Sequence, residues 1–177
     1  MRSQYNGIYA KDTLPDLMNS GGYIANTDVS TDIGEHWVLA FKQESKLFFI
    51  DSFAEPPRYY GKEFDQWIGK NAMATEICQL GKPLQHPQSH MCGLYVLYFF
   101  YFLARQFPME KILKFFSNNF LTNDRRLLNF AKRKFGNIRL LSNKGGSHTQ
   151  KKSGIFKEEL NRDFSVFLSQ RKTWSIK

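Results

Sequence analysis

The most regular patterning in the chain lies in HWVLAFKQESKLFFID, residues 36–51. Two β-rich apolar runs, His36–Phe41 and Lys46–Asp51, flank the polar segment Lys42–Ser45 and predict a β-hairpin. Upstream, NGIYAKDTLPDLMNSGG reads as a turn-rich start, with a short helix before Gly21-Gly22, and YIANTD as a short strand. Downstream of the hairpin a Pro-Pro break precedes Phe64, Trp67 and Ile68, which recur at helical spacing. TEICQL then reads as a strand leading to the break at Gly81–Pro83.

From Cys92 onward the period is helical. Gly93–Gln106 is apolar almost all round, the signature of a buried central helix. Pro108 opens PMEKILKFFSNNF as a first-turn proline. TNDRRLLNFAKRKFG has a polar cap at Thr122 or Asn123, basic residues in its last turn and Gly136 after it. SNKGGSHTQKKSG, 142–154, has the composition of a linker. Beyond it Ile155, Leu160, Phe164, Phe167 and Leu168 mark one more amphipathic helix. Strands early and helices late predict an α+β fold, with a domain over 1–141 and a linker with a basic helix over 142–177.

Composition sharpens this picture in four places. The 177 residues fit one domain of roughly 100–200 residues, and 42% hydrophobic with 16% aromatic residues suffices for a packed core. The longest apolar run, Leu94 to Ala104, is far short of the ~18 residues of a membrane span, and MRSQYNGIYAKDTLPDL has no apolar signal core; the expectation is a soluble, intracellular-type protein with no membrane partner. Two cysteines make no disulfide framework. Without CxxC spacing, and with no ligand pattern among His36, His86, His90 and His148, no metal is expected. Charge is segregated: residues 1–104 hold 8 Lys+Arg and 11 Asp+Glu, net −3, and residues 105–177 hold 17 and 5, net +12. A solvated basic face is the plain reading of that excess; segregation this strong favours a polyanion such as nucleic acid.

The candidate chemistry starts from the hairpin. A hairpin symmetric about Gln43-Glu44 sets His36 directly opposite Asp51 on one face, Cβ atoms ~5 Å apart, within hydrogen-bond reach. The alternative is a core histidine and a turn-starting Asp. Cys92 stands where the buried helix begins, so the helix dipole and the unpaired N–H groups of the first turn favour its thiolate, the reactive form. Gly93 leaves room for a substrate backbone. A cysteine packed before a core helix is the other reading of Cys92 alone. Gln85, seven residues upstream in a polar loop, supplies an amide for a developing oxyanion together with the Cys92 N–H. The chain order His, Asp, Cys differs from papain-like enzymes, which have cysteine first, and from α/β-hydrolases.

GEHWVLAF, FFIDSF and QHPQSHMCGLYVLYFF resemble the His, acid and Gln–Cys blocks of the adenain family, the maturation proteases of adenoviruses. The spacing of Gln85, Pro87, Ser89, Cys92 and Gly93 is the most specific feature. NGIYAKDTLPD with IANTD also resembles related proteases of virophages and virus-like DNA transposons, and the wider clan includes proteases of SUMO and other ubiquitin-like proteins. The resemblance spans roughly residues 5 to 105 with motifs and continues loosely to about 140. It implies a mixed central sheet flanked by helices, one of them carrying the cysteine. It also implies His36 as general base, Asp51 orienting it, Cys92 as nucleophile and Gln85 at the oxyanion, in a cysteine endopeptidase that processes viral or virus-like precursor proteins at Gly-containing sites. Adenain has Glu where Asp51 stands; the wider clan commonly uses Asp.

In the resembled family DNA is a cofactor that gathers enzyme and substrates, which makes Arg125, Arg126, Lys132, Arg133 and Lys134 candidate DNA contacts without sequence preference. An activating peptide there forms a disulfide with a cysteine upstream of the nucleophile, and Cys78 lies in a comparable place; a buried strand cysteine is the other reading. Gly145-Gly146 after Asn143-Lys144 makes Gly146–Ser147 a self-cleavage candidate or an ordinary Gly-rich hinge. The expected location is the virion and the host interior where particles assemble. Two other functions stay open: a protease specific for SUMO or ubiquitin-like proteins, and a non-enzymatic basic nucleic-acid-binding virion protein.

Overall fold

A computed structural model describes residues 5–32, 34–72 and 76–135. Five strands form one mixed sheet in chain order: β1 (Tyr5–Ala10), β2 (Gly21–Asn26), β3 (Trp37–Gln43), β4 (Lys46–Ile50) and β5 (Glu76–Gln79). β3 runs antiparallel to both β2 and β4, while β1 is parallel to β2 and β5 parallel to β4. Helix α1 (Lys62–Asn71) lies between β4 and β5 in the chain; α2 (Cys92–Leu103), α3 (Met109–Leu113) and α4 (Phe120–Phe135) follow the sheet. The α+β class and the central cysteine-bearing helix are as the sequence predicts.

Alternation along the central strands divides the core in two. Trp37, Leu39 and Phe41 of β3 with Phe48 and Ile50 of β4 join the cluster built on α2 and α4. Val38 and Ala40 with Leu47 and Phe49 join Phe64, Trp67 and Ile68 of α1. A strand covered on both faces must be apolar at every position, which is why β3 and β4 read as near-continuous hydrophobic runs. α2 has the same property in helical form: every residue from Cys92 to Tyr101 is buried. It lies against β3 on one side and α4 on the other. Its approach to the sheet is close at Gly22, where a Cβ would fall 2.7 Å from the Phe100 ring.

Several local expectations are corrected. The turn-rich start contains β1, whose register shifts between Tyr5 and Gly7; the bulge absorbs the Asn6-Gly7 turn signal, and pairing with β2 overrides it. Among the described residues before Gly21 the only helical ones are a 3₁₀ turn at Lys11–Thr13. α1 fastens the segment that follows, Trp67 Nε1–H donating to Pro15 O (2.6 Å) and Asn71 Oδ1 accepting from Met18 N (2.7 Å). Pro108 is the residue before α3 rather than its first helical position, and α3 is a short piece ending at Leu113. α4 starts three or four residues early because Asn119, not Thr122 or Asn123, supplies the cap, its Oδ1 accepting the Thr122 N–H at 2.9 Å. The proposed caps do other work: Asn123 is buried and holds Leu84 O and Ser117 O. The linker over 142–154, the last amphipathic helix, the 1–141 boundary and Gly146–Ser147 lie outside the described residues.

Gly22→Ala is expected to lower stability by about 1–3 kcal/mol, the range for forcing an extra carbon into a packed core, and Phe100→Leu in the same chain to restore part of it. Urea denaturation of the two variants checks this; an unchanged midpoint for Gly22→Ala contradicts so close a helix–sheet contact.

Candidate active site

His36 and Asp51 sit just beyond the paired ends of β3 and β4. The hairpin closes through a two-residue turn, Glu44-Ser45, with Gln43 opposite Lys46, and Leu39 faces Ile50. The register is thus two residues away from the one centred on Gln43-Glu44. Continued past the ladder, it sets His36 opposite Phe53 and Asp51 opposite Val38, so the two candidates are diagonal partners. A shift of two keeps every side chain on its face, whereas a shift of one reverses them all. Diagonal neighbours stay within reach of a ring-bearing side chain. His36 Nε2 and Asp51 Oδ1 meet at 2.6 Å, with His36 8% and Asp51 1% exposed.

A buried carboxylate is stable only when its lone pairs are taken. Oδ1 of Asp51 also accepts the Phe53 N–H (3.0 Å); Oδ2 accepts the Glu55 N–H (2.9 Å) and the Tyr60 hydroxyl (2.6 Å). The tight turn that aims these amides backward is closed by Ala54 N donating to Asp51 O (2.9 Å), with Ala54 at φ 60°. Left-handed backbone at a non-glycine residue is strained and is kept only where the surroundings impose it. The Tyr60 hydroxyl is pushed well above its ordinary range by burial and then by Asp51.

His36 is held from three sides. Phe53 stacks on the ring at 4.8 Å and Tyr60 at 5.7 Å between centroids, and aromatic faces favour a cation between them. Burial works against the charged ring. The hydrogen bonds to Asp51 and Cys92, and the charges of both, outweigh it and push the His36 pKa up to about 9. With Nε2 taken by the carboxylate, Nδ1 is the nitrogen left to exchange a proton with Cys92. Thr27 fixes the backbone of His36: Thr27 N donates to His36 O at 3.0 Å.

Cys92 is the first residue of α2, is 5% exposed, and follows Met91, which places no side-chain cap on the helix end. Cys78 is a strand cysteine but not a buried one: it lies half-buried on β5 opposite Phe48, and burial, followed by Glu76, pushes its thiol up, away from the reactive form.

Gln85 joins the same end of the sheet through Ser52, the residue after Asp51. Its Oε1 accepts the Ser52 hydroxyl at 2.6 Å and its Nε2 donates to Ser89 O at 2.7 Å. The backbone N–H groups of Leu84 and Gln85 both donate to Ser52 O. On the other side Leu84 O accepts from Tyr95 Oη and Asn123 Nδ2, both at 2.9 Å. His36, Asp51 and Cys92 are brought together, and Gln85 is tied to Asp51 through one residue. Such a set can remove a thiol proton and hold the resulting imidazolium.

Arg125, Arg126, Lys132, Arg133 and Lys134 stand apart from this group, exposed on α4. Arg125 and Lys132, seven apart, share the side of the helix opposite Leu127 and Phe130; Arg126 and Arg133, also seven apart, lie about 100° round from them on the flank. Arg126 spends one N–H on Phe115 O (2.6 Å), and Lys134 lies 5.8 Å from the Tyr101 ring centroid. Among the described residues no group of His, Cys, Asp or Glu is arranged to hold a metal ion, and no helix is long and apolar enough to cross a membrane.

The sequence reading missed Ser52, Phe53 and Tyr60. Ser52 and Phe53 were within reach of the argument, as neighbours of a candidate acid at a strand end. Tyr60 carries no local signal; the 3₁₀ turn Pro57–Tyr60 brings it back to Asp51. No family model and no curated protein matches the chain, so its chemistry is read from these side chains.

The His36 shift fixes the sign of a pH effect. The folded pKa of about 9 lies above the ordinary 6.5. The stability it contributes is therefore complete below about pH 6.5 and is lost as pH rises through about 9. The urea midpoint is expected to fall more between pH 6 and 9.5 for the wild type than for His36→Gln; parallel pH profiles contradict the shift.

Proposed function

We propose that the chain is a cysteine endopeptidase of the adenain type, acting on precursor proteins of a virus or virus-like element at Gly-containing sites. The observation that carries this is the buried His36 bound through Nε2 to Asp51, with Cys92 at a helix N-terminus near enough to help raise the imidazole pKa. Sulfur, imidazole and carboxylate in that order are the parts of an activated thiol nucleophile. The adenain-like motif blocks and the α+β fold are consistent with it.

The reaction follows from the parts. His36 Nδ1 takes the Cys92 proton, and the thiolate attacks the scissile carbonyl carbon. The oxyanion that forms is held by N–H groups of Gln85 and of the Cys92 backbone. Collapse breaks the C–N bond, the amine leaving with the proton from Nδ1, and a thioester remains. Water, deprotonated by Nδ1, attacks the thioester; the acid departs and the thiol is restored. No metal enters. The enzyme works where particles assemble and in the virion, with DNA and an activating peptide as accessory factors in the manner of the resembled family.

Cys92→Ala and Cys92→Ser are expected to lower turnover of a Gly-Gly peptide or a co-packaged precursor by at least ~10³-fold. Native wild-type Cys92 should be alkylated by iodoacetamide faster than Cys78. Undiminished cleavage by either variant ends the assignment, and equal alkylation of the two cysteines favours a non-enzymatic basic protein. Turnover confined to folded ubiquitin-like fusions moves the enzyme to the ubiquitin-like-protein proteases.

The basic side of α4 belongs to the same proposal as a DNA contact without sequence preference. Each phosphate contacted should contribute about −0.9 to the slope of log affinity against log salt. Arg125→Gln with Lys132→Gln is expected to reduce the slope by about 1 to 2 units in duplex titrations. A wild-type affinity indifferent to salt between ~50 and ~200 mM rules this contact out.

A further inference from the structure

The Gln85 amide is the one candidate group whose use depends on which way round it sits. A glutamine side chain has one carbonyl oxygen and two N–H donors, and only the N–H end serves an oxyanion. Ser89 O takes one N–H of Nε2 at 2.7 Å, while Oε1 receives the Ser52 hydroxyl at 2.6 Å. Gln85 is 0% and Ser52 2% exposed, so water does not substitute for either partner. Turning the amide over would set Oε1 against Ser89 O, oxygen to oxygen. It would also strip the Ser52 hydroxyl of its acceptor. The second N–H of Nε2 has no acceptor among the described residues.

We propose that Ser52 is the positioning residue of the oxyanion site: its hydroxyl, through Gln85 Oε1, fixes which way round the amide sits and so leaves one N–H unspent for the oxyanion. The hydrogen bond into Oε1 also polarises the amide and makes its N–H a better donor. Ser52 performs this role one residue from the acid. Its carbonyl anchors the Leu84 and Gln85 amides, while Asp51 beside it holds His36. One short turn thus sets both the base and the oxyanion donor.

The inference rests on the protease reading and is tested separately from it. Alkylation of Cys92 by iodoacetamide needs the thiolate and forms no oxyanion; peptide cleavage needs both. With a peptide that the wild type cleaves, Ser52→Ala is expected to lower kcat about tenfold, a fraction of the 10²–10³ lost with a whole oxyanion donor. KM and the Cys92 alkylation rate should stay within about twofold. In a Gln85→Ala background the same change should have no further effect on kcat. Ser52→Thr, which keeps the hydroxyl, should restore kcat to within about threefold.

An unchanged kcat in Ser52→Ala overturns the proposal. So does an alkylation rate that falls in step with kcat, or a loss that persists in the Gln85→Ala background. If Ser52→Ala does not hold its fold, Ser52→Cys replaces it: its weaker donor should give a lower kcat than Ser52→Thr, and equal values overturn the proposal. Cleavage surviving Cys92→Ala removes the protease reading itself, an outcome distinct from all of these.

Discussion

The Asp51 carboxylate is the constraint around which this end of the molecule is organised. An anion 1% exposed is tolerated only when donors replace the water it has lost, and a buried charge left without them costs several kcal/mol. Here four groups answer it: His36, the Phe53 and Glu55 amides, and Tyr60. Each donor fixes something else in turn. The amides impose the turn at Ala54, Tyr60 fixes the approach to α1, and His36 is left with one direction for its second nitrogen.

The sheet and α2 exist, in this light, to bring two chain segments to the same place. The His36–Asp51 pair is delivered by the antiparallel β3–β4 ladder, whose apolar faces are gripped by α1 and α2. By continued alternation that pair belongs to the α1 face, whereas Cys92 belongs to the α2 cluster. They meet because both lie past the last ladder bond, where a sheet no longer separates its faces. The loop carrying Gln85 is clamped between Ser52 on one side and Tyr95 with Asn123 on the other. Tyr95 Oη also lies 2.8 Å from Asp124 Oδ1, so α4 contributes two buried polar residues to a loop that a purely apolar bundle would leave loose.

Much of this was legible in the chain, for reasons that also mark the limit. Continuous apolar runs and, in α1, helical spacing report burial, so β3, β4, α1 and α2 could be read directly. Alternation is insensitive to a slip of two residues. That is why His36 and Asp51 could be matched from a hairpin centre that was off by one residue while the true partnership is diagonal. β1 was hidden because Asn6-Gly7 has turn chemistry and its strand character comes from pairing with β2. Tyr60 was hidden because nothing within nine residues announces that a 3₁₀ turn will return it to the carboxylate. Asn123 looked like a cap because local sequence cannot reveal that Leu84 O waits beside it. Patterns encode burial; partners of buried polar atoms are properties of the closed fold.

The choice of Asp rather than a longer acid follows from the same geometry. A diagonal pair is spaced wider than a directly opposed one, which would at first favour a longer side chain. The shortfall is made up by the imidazole, reaching through Nε2, the nitrogen farthest from its own backbone. The short carboxylate in turn stays close to its own chain, where the amides two and four residues on can fold back onto both oxygens. A Glu at this position would carry the charge a methylene further out, beyond easy reach of those amides, and would depend more on side-chain donors such as Tyr60. Asp51 exchanges reach for backbone hydrogen bonds. It can do so because the histidine supplies the missing length.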